Sequence, residues 1–209
     1  MKKVAIFGGT FNPIHWGHLL MAEIALTQAE LDVVLWVPSS QPPHKVQSEL
    51  ACFEQRLEMV KRAIADHPAF HWSDIEATRA GPSYAIQTLN DLKLYYPDAC
   101  WAWIVGLDAF QSLPHWYRSS DLIAQCHWLV APRREKRLEK WDKTLPHSIG
   151  YQILDMPQID LSSSLVRQFC QQGKSIRYLV PEAVRTYIQA YQLYGHFPQR
   201  RGKCTLLDE

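Results

Sequence analysis

The stretch Gly8-Gly9-Thr10-Phe11-Asn12-Pro13-Ile14-His15-Trp16-Gly17-His18 decides how the rest of the chain is read. An apolar run, Val4-Ala5-Ile6-Phe7, stands before it, and Leu19, Ala22, Leu26 and Ala29 follow at i, i+3, i+7 and i+10, the spacing of one helix face. The stretch is therefore expected to be a strand-to-helix crossing. In an open α/β sheet such a crossing lies at the carboxyl edge, where ligands bind. Gly8 and Gly9 let backbone N–H groups come close to a ligand, and a helix beginning near Gly17 points its positive end at the same spot. One histidine there reads as a surface or capping residue. Two, spaced His-x-Gly-His, point to a site for phosphate and for charge that grows during a reaction.

On either side of this stretch strand-like runs alternate with helical patterns almost throughout, which predicts a parallel α/β sheet. Val33-Val34-Leu35-Trp36-Val37 is the second strand, closed by Pro38. A polar loop, Ser39 to Glu49, leads to a helix with Phe53, Leu57, Val60 and Ile64 on one face, and Phe70 to Ile75 is a weaker strand. Ser83 is expected to cap a helix carrying Ala85, Leu89, Leu92 and Tyr96 on one face. Trp101 to Val105 predicts a central strand, Trp128 to Ala131 another, and Tyr151 to Leu154 a shorter one. The last two helices start near Ser163 and Pro181, the second with Pro at its first position and an end near Gly195. Residues 1–195 are expected to form one domain, and 196–209, which lack periodicity, a mobile tail.

With 209 residues, 47% of them hydrophobic, the chain can bury a full core. A formal charge of +1 gives no global attraction to nucleic acid or an anionic membrane, so an anion site must be a local concentration of basic groups. The five cysteines are odd in number and dispersed, with no Cys-x-x-Cys, which argues against a disulfide framework and fits a reducing cytoplasm. The apolar part after Lys2-Lys3 is too short for a signal peptide, and no later run approaches a membrane span.

The residues with chemical potential come directly after strands, so parallel strands would gather them at one edge. They are His15 and His18, then Lys45, then Asp108 and Trp116, then Arg133 at the head of a basic run, and last Ser162, Ser163 and Arg167. Lys45, in Pro42-Pro43-His44-Lys45, is either an exposed loop lysine or a cation reaching over a polyphosphate. Asp160 to Arg167 places hydroxyls and free amides at a helix start with an arginine one turn in, either a plain serine cap or a phosphate cradle. Trp116 either packs under its own loop or stacks on a flat ring, more strongly if that ring is cationic. Asp108 suits a ribose, a metal or a helix cap.

No serine or cysteine has the setting of a covalent nucleophile. The glycine loop also departs from both Gly-x-Gly-x-x-Gly and the P-loop pattern. What remains is direct attack by one substrate on a phosphorus of another, with the protein supplying position and positive charge.

The first stretch resembles the nucleotidyltransferase loop written Gly-Gly-Thr-Phe-Asp-Pro-Ile-His-x-Gly-His. Taken with Pro42-Pro43-His44-Lys45, Gly81-Pro82-Ser83-Tyr84, Gly106-Leu107-Asp108, Trp116, the Ser162-Ser163 helix, Leu179-Val180-Pro181 and Tyr194, the chain is similar to the bacterial nicotinate-nucleotide adenylyltransferases. The resemblance implies a Rossmann-like, nucleotidyltransferase-type open parallel sheet with helices on both faces. It also implies the reaction of ATP, with Mg²⁺, and nicotinate mononucleotide to deamido-NAD and pyrophosphate. In that picture His15, His18, Lys45 and Arg167 are catalytic. Gly8, Gly9, Thr10, Phe11, Gly106, Asp108, Arg133, Ser162 and Ser163 belong with them to the ATP side. Lys45, Ser83, Tyr84, Ala85, Asp108, Trp116 and Tyr117 form the acceptor side, with Trp116 stacked on the pyridine and backbone amides near Ala85 and Tyr117 on its carboxylate. No protein ligand to a metal is assigned. Neither a nucleic-acid nor a membrane partner is expected, a homo-oligomer is compatible with the reading, and the expected location is the cytoplasm.

Three positions depart from the family pattern. Asn12 stands where Asp is common, expected to remove a charge near the phosphates; Ala85 replaces a common Thr; Ser164 replaces a frequent Thr. Ala85 bears on the choice between the acid and amide forms of the ring. The alternatives are therefore an enzyme preferring nicotinamide mononucleotide or another phosphorylated acceptor such as phosphopantetheine, and a nucleotide-binding sensor without turnover.

Overall fold

The computed structural model describes residues 1–42, 50–79, 81–132 and 149–195. Six strands form one sheet: β1 (Lys2–Gly9), β2 (Val33–Pro38), β3 (Phe70–Trp72), β4 (Ala99–Gly106), β5 (His127–Ala131) and β6 (Tyr151–Ile153). Their order is β3-β2-β1-β4-β5-β6 and every pairing is parallel. The helices are α1 (Trp16–Gln28), α2 (Phe53–Ile64), α3 (Ala85–Tyr95), α4 (Leu107–Ser112), α5 (Ser119–Ile123), α6 (Ser163–Gln171) and α7 (Glu182–Ala190).

The central strands are buried on both faces, and their alternation separates two cores. Ala5, Phe7, Val34, Trp36, Ile104 and Leu129 point to one face, where they meet Ala22 and Ala25 of α1, Met59 and Val60 of α2, Val166 of α6 and Val184 of α7. Val4, Ile6, Leu35, Trp103, Val105 and Trp128 point to the other, against Ile86 and Leu89 of α3, Phe110 of α4 and Leu122 of α5. The expected architecture, helices on both faces of an open parallel sheet, is the one observed.

Local boundaries differ where long-range partners override local pattern. Ser83 does not cap α3; Tyr84 takes that position, because the Ser83 hydroxyl instead accepts a hydrogen bond from the Gln41 amide at 3.0 Å. α1 begins at Trp16 with His15 as its N-cap, one residue earlier than expected. Pro181 is the N-cap of α7 rather than its first residue. β3 stops at Trp72, short of Ile75. The segment from Leu107 to Ile123, to which the sequence pattern assigns no element, holds α4, a 3-10 turn at Leu113–His115 and α5. Among the described residues Cys100, Cys126 and Cys170 are free thiols.

The sheet order reverses between β1 and β4: the chain leaves β1 toward β2 and β3, and leaves β4 toward β5 and β6. Connections diverge to opposite faces there, so a crevice opens beyond the carboxyl ends of these two strands.

Candidate active site

A cavity of about 520 Å³ occupies that crevice. Its walls come from Gly8 to Asn12 after β1, His15, Gly17 and His18 of α1, Gly106 at the end of β4, and Leu161 to Ser164 with Arg167 of α6. Trp116 borders it as well. Two helix N-termini, those of α1 and α6, thus meet at one cavity, each with amides that a helix start leaves without intrahelical acceptors.

The loop holds its shape through close packing. Phe11 is 2% exposed and sits edge-on to Phe7 and His18. A Cβ at Gly9 would lie 3.0–3.3 Å from the Phe11 ring, so any larger residue there would make the ring give by a few tenths of an ångström. Gly17 plays the same part for His15, whose imidazole atoms lie 3.1 Å from where a Cβ would be.

His15 and His18 are stacked, ring centroids 3.7 Å apart and planes 23° from parallel. The His15 amide donates to Nδ1 of His18 at 3.2 Å, so in neutral His18 the proton resides on Nε2. Burial lowers the pKa of His15 to about 4, and burial with the neighbouring His15 charge holds His18 well below the usual imidazole range. Without ligand both rings are neutral at pH 7. They are packed to donate hydrogen bonds to an anion, and an anion would in turn favour their charged forms.

On α6, the Ser162 hydroxyl caps the helix by accepting from the Leu165 amide at 3.2 Å, which leaves its own proton to donate. The Ser163 hydroxyl donates to the Pro13 carbonyl at 2.8 Å, so its proton is committed to holding the loop. Arg167 donates to the Asn12 carbonyl at 2.9 Å and to the Ser164 hydroxyl at 3.3 Å, tying α6 to the same loop while bordering the cavity.

The acceptor-side residues lie apart from these. Trp116 packs under its own loop: its indole N–H donates to Ser112 Oγ at 3.1 Å and its ring meets Trp128 edge-on, and the residue also borders the cavity. Tyr84 and Tyr117 pack ring to ring at 4.5 Å, and Ala85 opens α3. Ser83, Tyr84, Ala85, Tyr117 and Asp108 are not among the cavity walls; Asp108 is exposed in the first turn of α4.

The family model described as cytidylyltransferase-like matches residues 6–169. A curated Nostoc protein named "Probable nicotinate-nucleotide adenylyltransferase" is 48% identical over 93% of this chain and 98% of its own length. A Synechococcus protein of the same name is 50% identical, covering 92% and 95%. The chain belongs to the nicotinate-nucleotide adenylyltransferase family. Among solved structures it is similar to Plasmodium falciparum nicotinic acid mononucleotide adenylyltransferase complexed with APC, with a TM-score of 0.77 at 20% identity, covering 93% of this chain and 98% of that one. The same Plasmodium enzyme complexed with NaAD gives a TM-score of 0.76 at 21% identity over the same shares. At that identity the likeness is one of fold, and it matches the sheet described above.

Lys45 and Arg133 lie outside the described residues, as does the tail from 196 to 209. The expectation for Asn12 changes. Its side chain is 3% exposed, and its Oδ1 accepts from the Ala51 amide at 3.0 Å and the Tyr194 hydroxyl at 2.8 Å. The position thus ties the loop to the start of α2 and to the chain beyond α7. Arg56 is a further residue of this region that no motif marks. The signal was present, since Arg56 falls three residues after Phe53 and four before Val60, on the apolar stripe of α2, where it is 1% exposed.

Proposed function

We propose that this chain transfers the AMP moiety of MgATP to nicotinate mononucleotide, giving deamido-NAD and pyrophosphate. The observation that carries the chemistry is the stacked, neutral His15–His18 pair at a cavity faced by two helix N-termini. The curated relatives' names supply the acceptor.

In this reading an oxygen of the acceptor's 5′-phosphate attacks the α-phosphorus of ATP. The bond from that phosphorus to the bridging oxygen breaks, and its electron pair leaves with pyrophosphate. His15 and His18 hydrogen-bond the triphosphate and stabilise the charge that moves onto the leaving group. Arg167, the Ser162 hydroxyl and the first amides of α6 hold the same oxygens, and Lys45 and Arg133 add charge. Where no covalent intermediate forms, preorganised donors of this kind are the main means by which a protein lowers the barrier to phosphoryl chemistry. The loop from Gly8 to Phe11, with Gly106 and Asp108, takes the nucleoside side. Trp116 stacks on the pyridine, backbone amides near Ala85 and Tyr117 receive its carboxylate, and Ser83 and Tyr84 belong to the same acceptor side.

Mg²⁺ enters as part of the nucleotide substrate. Among the described residues no group of three or more His, Cys, Asp or Glu could hold a metal ion. Among the described residues the cavity walls offer no carboxylate, and in this reading the ion's oxygen ligands come from phosphates and water. We place the catalytic domain at 1–195 and the reaction in the cytoplasm, with neither a nucleic-acid nor a membrane partner. Among the described residues no helix is long and apolar enough to cross a membrane.

Ala85, in place of the family's common Thr, is the observation behind a second reading, a preference for the nicotinamide acceptor. Incubating the purified chain with MgATP and either mononucleotide, and following pyrophosphate and dinucleotide, tests both. Faster formation of deamido-NAD is expected; equal or faster NAD formation overturns the acid preference, and no dinucleotide with either overturns the adenylyl-transfer reading.

A further inference from the structure

Arg56 is buried with a set of partners that a stabilising core residue would not need. Its Nε donates to the Ala51 carbonyl at 3.1 Å, Nη1 to the Thr10 carbonyl at 2.8 Å and Nη2 to the Ser40 carbonyl at 3.4 Å. All three are main-chain oxygens, from the loop after β1, the loop after β2 and the entry to α2. Burial pulls its pKa down, opposed by Tyr194, Glu54 and Glu76. A buried guanidinium held mainly by carbonyls is an expensive way to fill space, and a well-packed apolar side chain would usually serve stability as well.

What the arrangement gains is a connection. The Ser40 amide donates to Glu76 at 3.2 Å, and Glu76 accepts from the Thr88 hydroxyl of α3 at 2.6 Å. Glu76 and Thr88 are themselves 6% and 1% exposed. The next residue, Gln41, exchanges two hydrogen bonds with Ser83: the Ser83 amide to the Gln41 carbonyl at 3.0 Å, and the Gln41 amide to the Ser83 hydroxyl at 3.0 Å. Bonds therefore run without a gap from Thr10, in the loop placed on ATP, to Ser83 and α3, placed on the acceptor. Among the described residues Arg56 is a side chain bonded to both Thr10 and Ser40, beside the main-chain bond from the Ser39 amide to the Gly9 carbonyl at 2.8 Å.

We propose that Arg56 is a positioning residue for the transfer: its planar fork fixes the Thr10 loop against the Ser40–Gln41 segment and so sets how far the acceptor phosphate stands from the α-phosphorus. This rests on the two-substrate reading above. A lysine cannot replace it, because one ammonium lacks the fork that spans carbonyls on separate loops. The fixed separation matters only when both substrates are bound, so each alone binds without it.

The test compares the wild type with Arg56→Lys and Arg56→Ala, measuring the Kd of each substrate alone, kcat per folded molecule and thermal stability. Both Kd values are expected to stay within about threefold while kcat falls by about 30-fold or more, since a misplacement near 1 Å costs rates of this order. Added guanidinium is expected to restore kcat to Arg56→Ala severalfold, a recovery that a merely structural role would not produce. If Arg56→Ala fails to fold, Arg56→Lys decides alone. Wild-type kcat in the lysine variant, or a loss carried wholly by the Kd for ATP, overturns the proposal. Wild-type turnover is measured first with nicotinate mononucleotide; failure there rejects the acceptor reading, and Arg56 is then tested with whichever acceptor the wild type uses.

Discussion

Acidification should destabilise this protein through His15, and the size follows from its burial. The pKa of His15 is about 4 in the fold against 6.5 for a free imidazole. Below 6.5 the unfolded chain takes up a proton that the native chain refuses until about pH 4, so stability falls as pH drops through that window and levels off below it. The whole span is worth about 3 kcal/mol, and between pH 8 and pH 5 it amounts to about 2 kcal/mol for this one group. His18 moves in the same direction and adds to it. Urea denaturation at pH 8, 7, 6 and 5 measures the slope for the wild type and for His15→Asn, which keeps a side chain suited to the N-cap. Subtracting the two removes the contribution of the histidines distant from this pair and leaves that of His15 together with its coupling to His18. A wild-type loss exceeding the variant's by about 2 kcal/mol is expected; parallel slopes would refute the claim that the fold holds His15 neutral.

ATP should reverse that preference, because a unit negative charge about 4 Å from an imidazolium is worth about 4 kcal/mol at an effective dielectric near 20. That is enough to bring the titration of His15 to near neutrality, so calorimetry at pH 7 in two buffers of different protonation enthalpy should read uptake of about half a proton on ATP binding. A binding enthalpy that ignores the buffer would sink the idea. Gly17→Ala should push the His15 ring by a few tenths of an ångström, since a Cβ there falls 3.1 Å from two of its atoms. It should lower kcat about tenfold with little change in the urea midpoint, and an unchanged kcat would show that the ring's placement is not critical.

Much of the fold was legible because the central strands are apolar on both faces and each ends on a recognisable punctuator. Gly8-Gly9 closes β1 and Pro38 closes β2, and these local signals survive without knowledge of neighbours. Between β4 and β5 they fail. Leu107, Phe110, Leu113, Leu122 and Ile123 are all buried, but they serve helices of six and five residues interrupted at Pro114, too short for a 3.6-residue period to show. The cavity-facing half of the site was legible for the same reason as the strands, since His15, His18, Ser162 and Arg167 sit at strand-to-helix crossings. Ser83 was placed wrongly because its hydroxyl is engaged by the amide of Gln41, 42 residues earlier, a partner that no window of sequence contains. The three carbonyls that give Arg56 its meaning lie 5, 16 and 46 residues away.

Asn12 shows how a single side chain can mislead when only its charge is considered. Next to a phosphate loop, an amide in place of a carboxylate suggests weaker repulsion of ATP. In the fold the Asn12 oxygen instead faces the Ala51 amide and the Tyr194 hydroxyl, and its carbonyl faces Arg167. Burial holds the Tyr194 phenol above its usual range, with Arg56 and Arg167 pulling the other way. A carboxylate at this position would keep the same two donors and add a charge between two guanidiniums that already spend their hydrogen bonds on the loop. The residue therefore bears on how tightly α2, α6 and Tyr194 hold the loop at Thr10 to Pro13, and the phosphates feel it through the position of that loop rather than through the charge of the side chain.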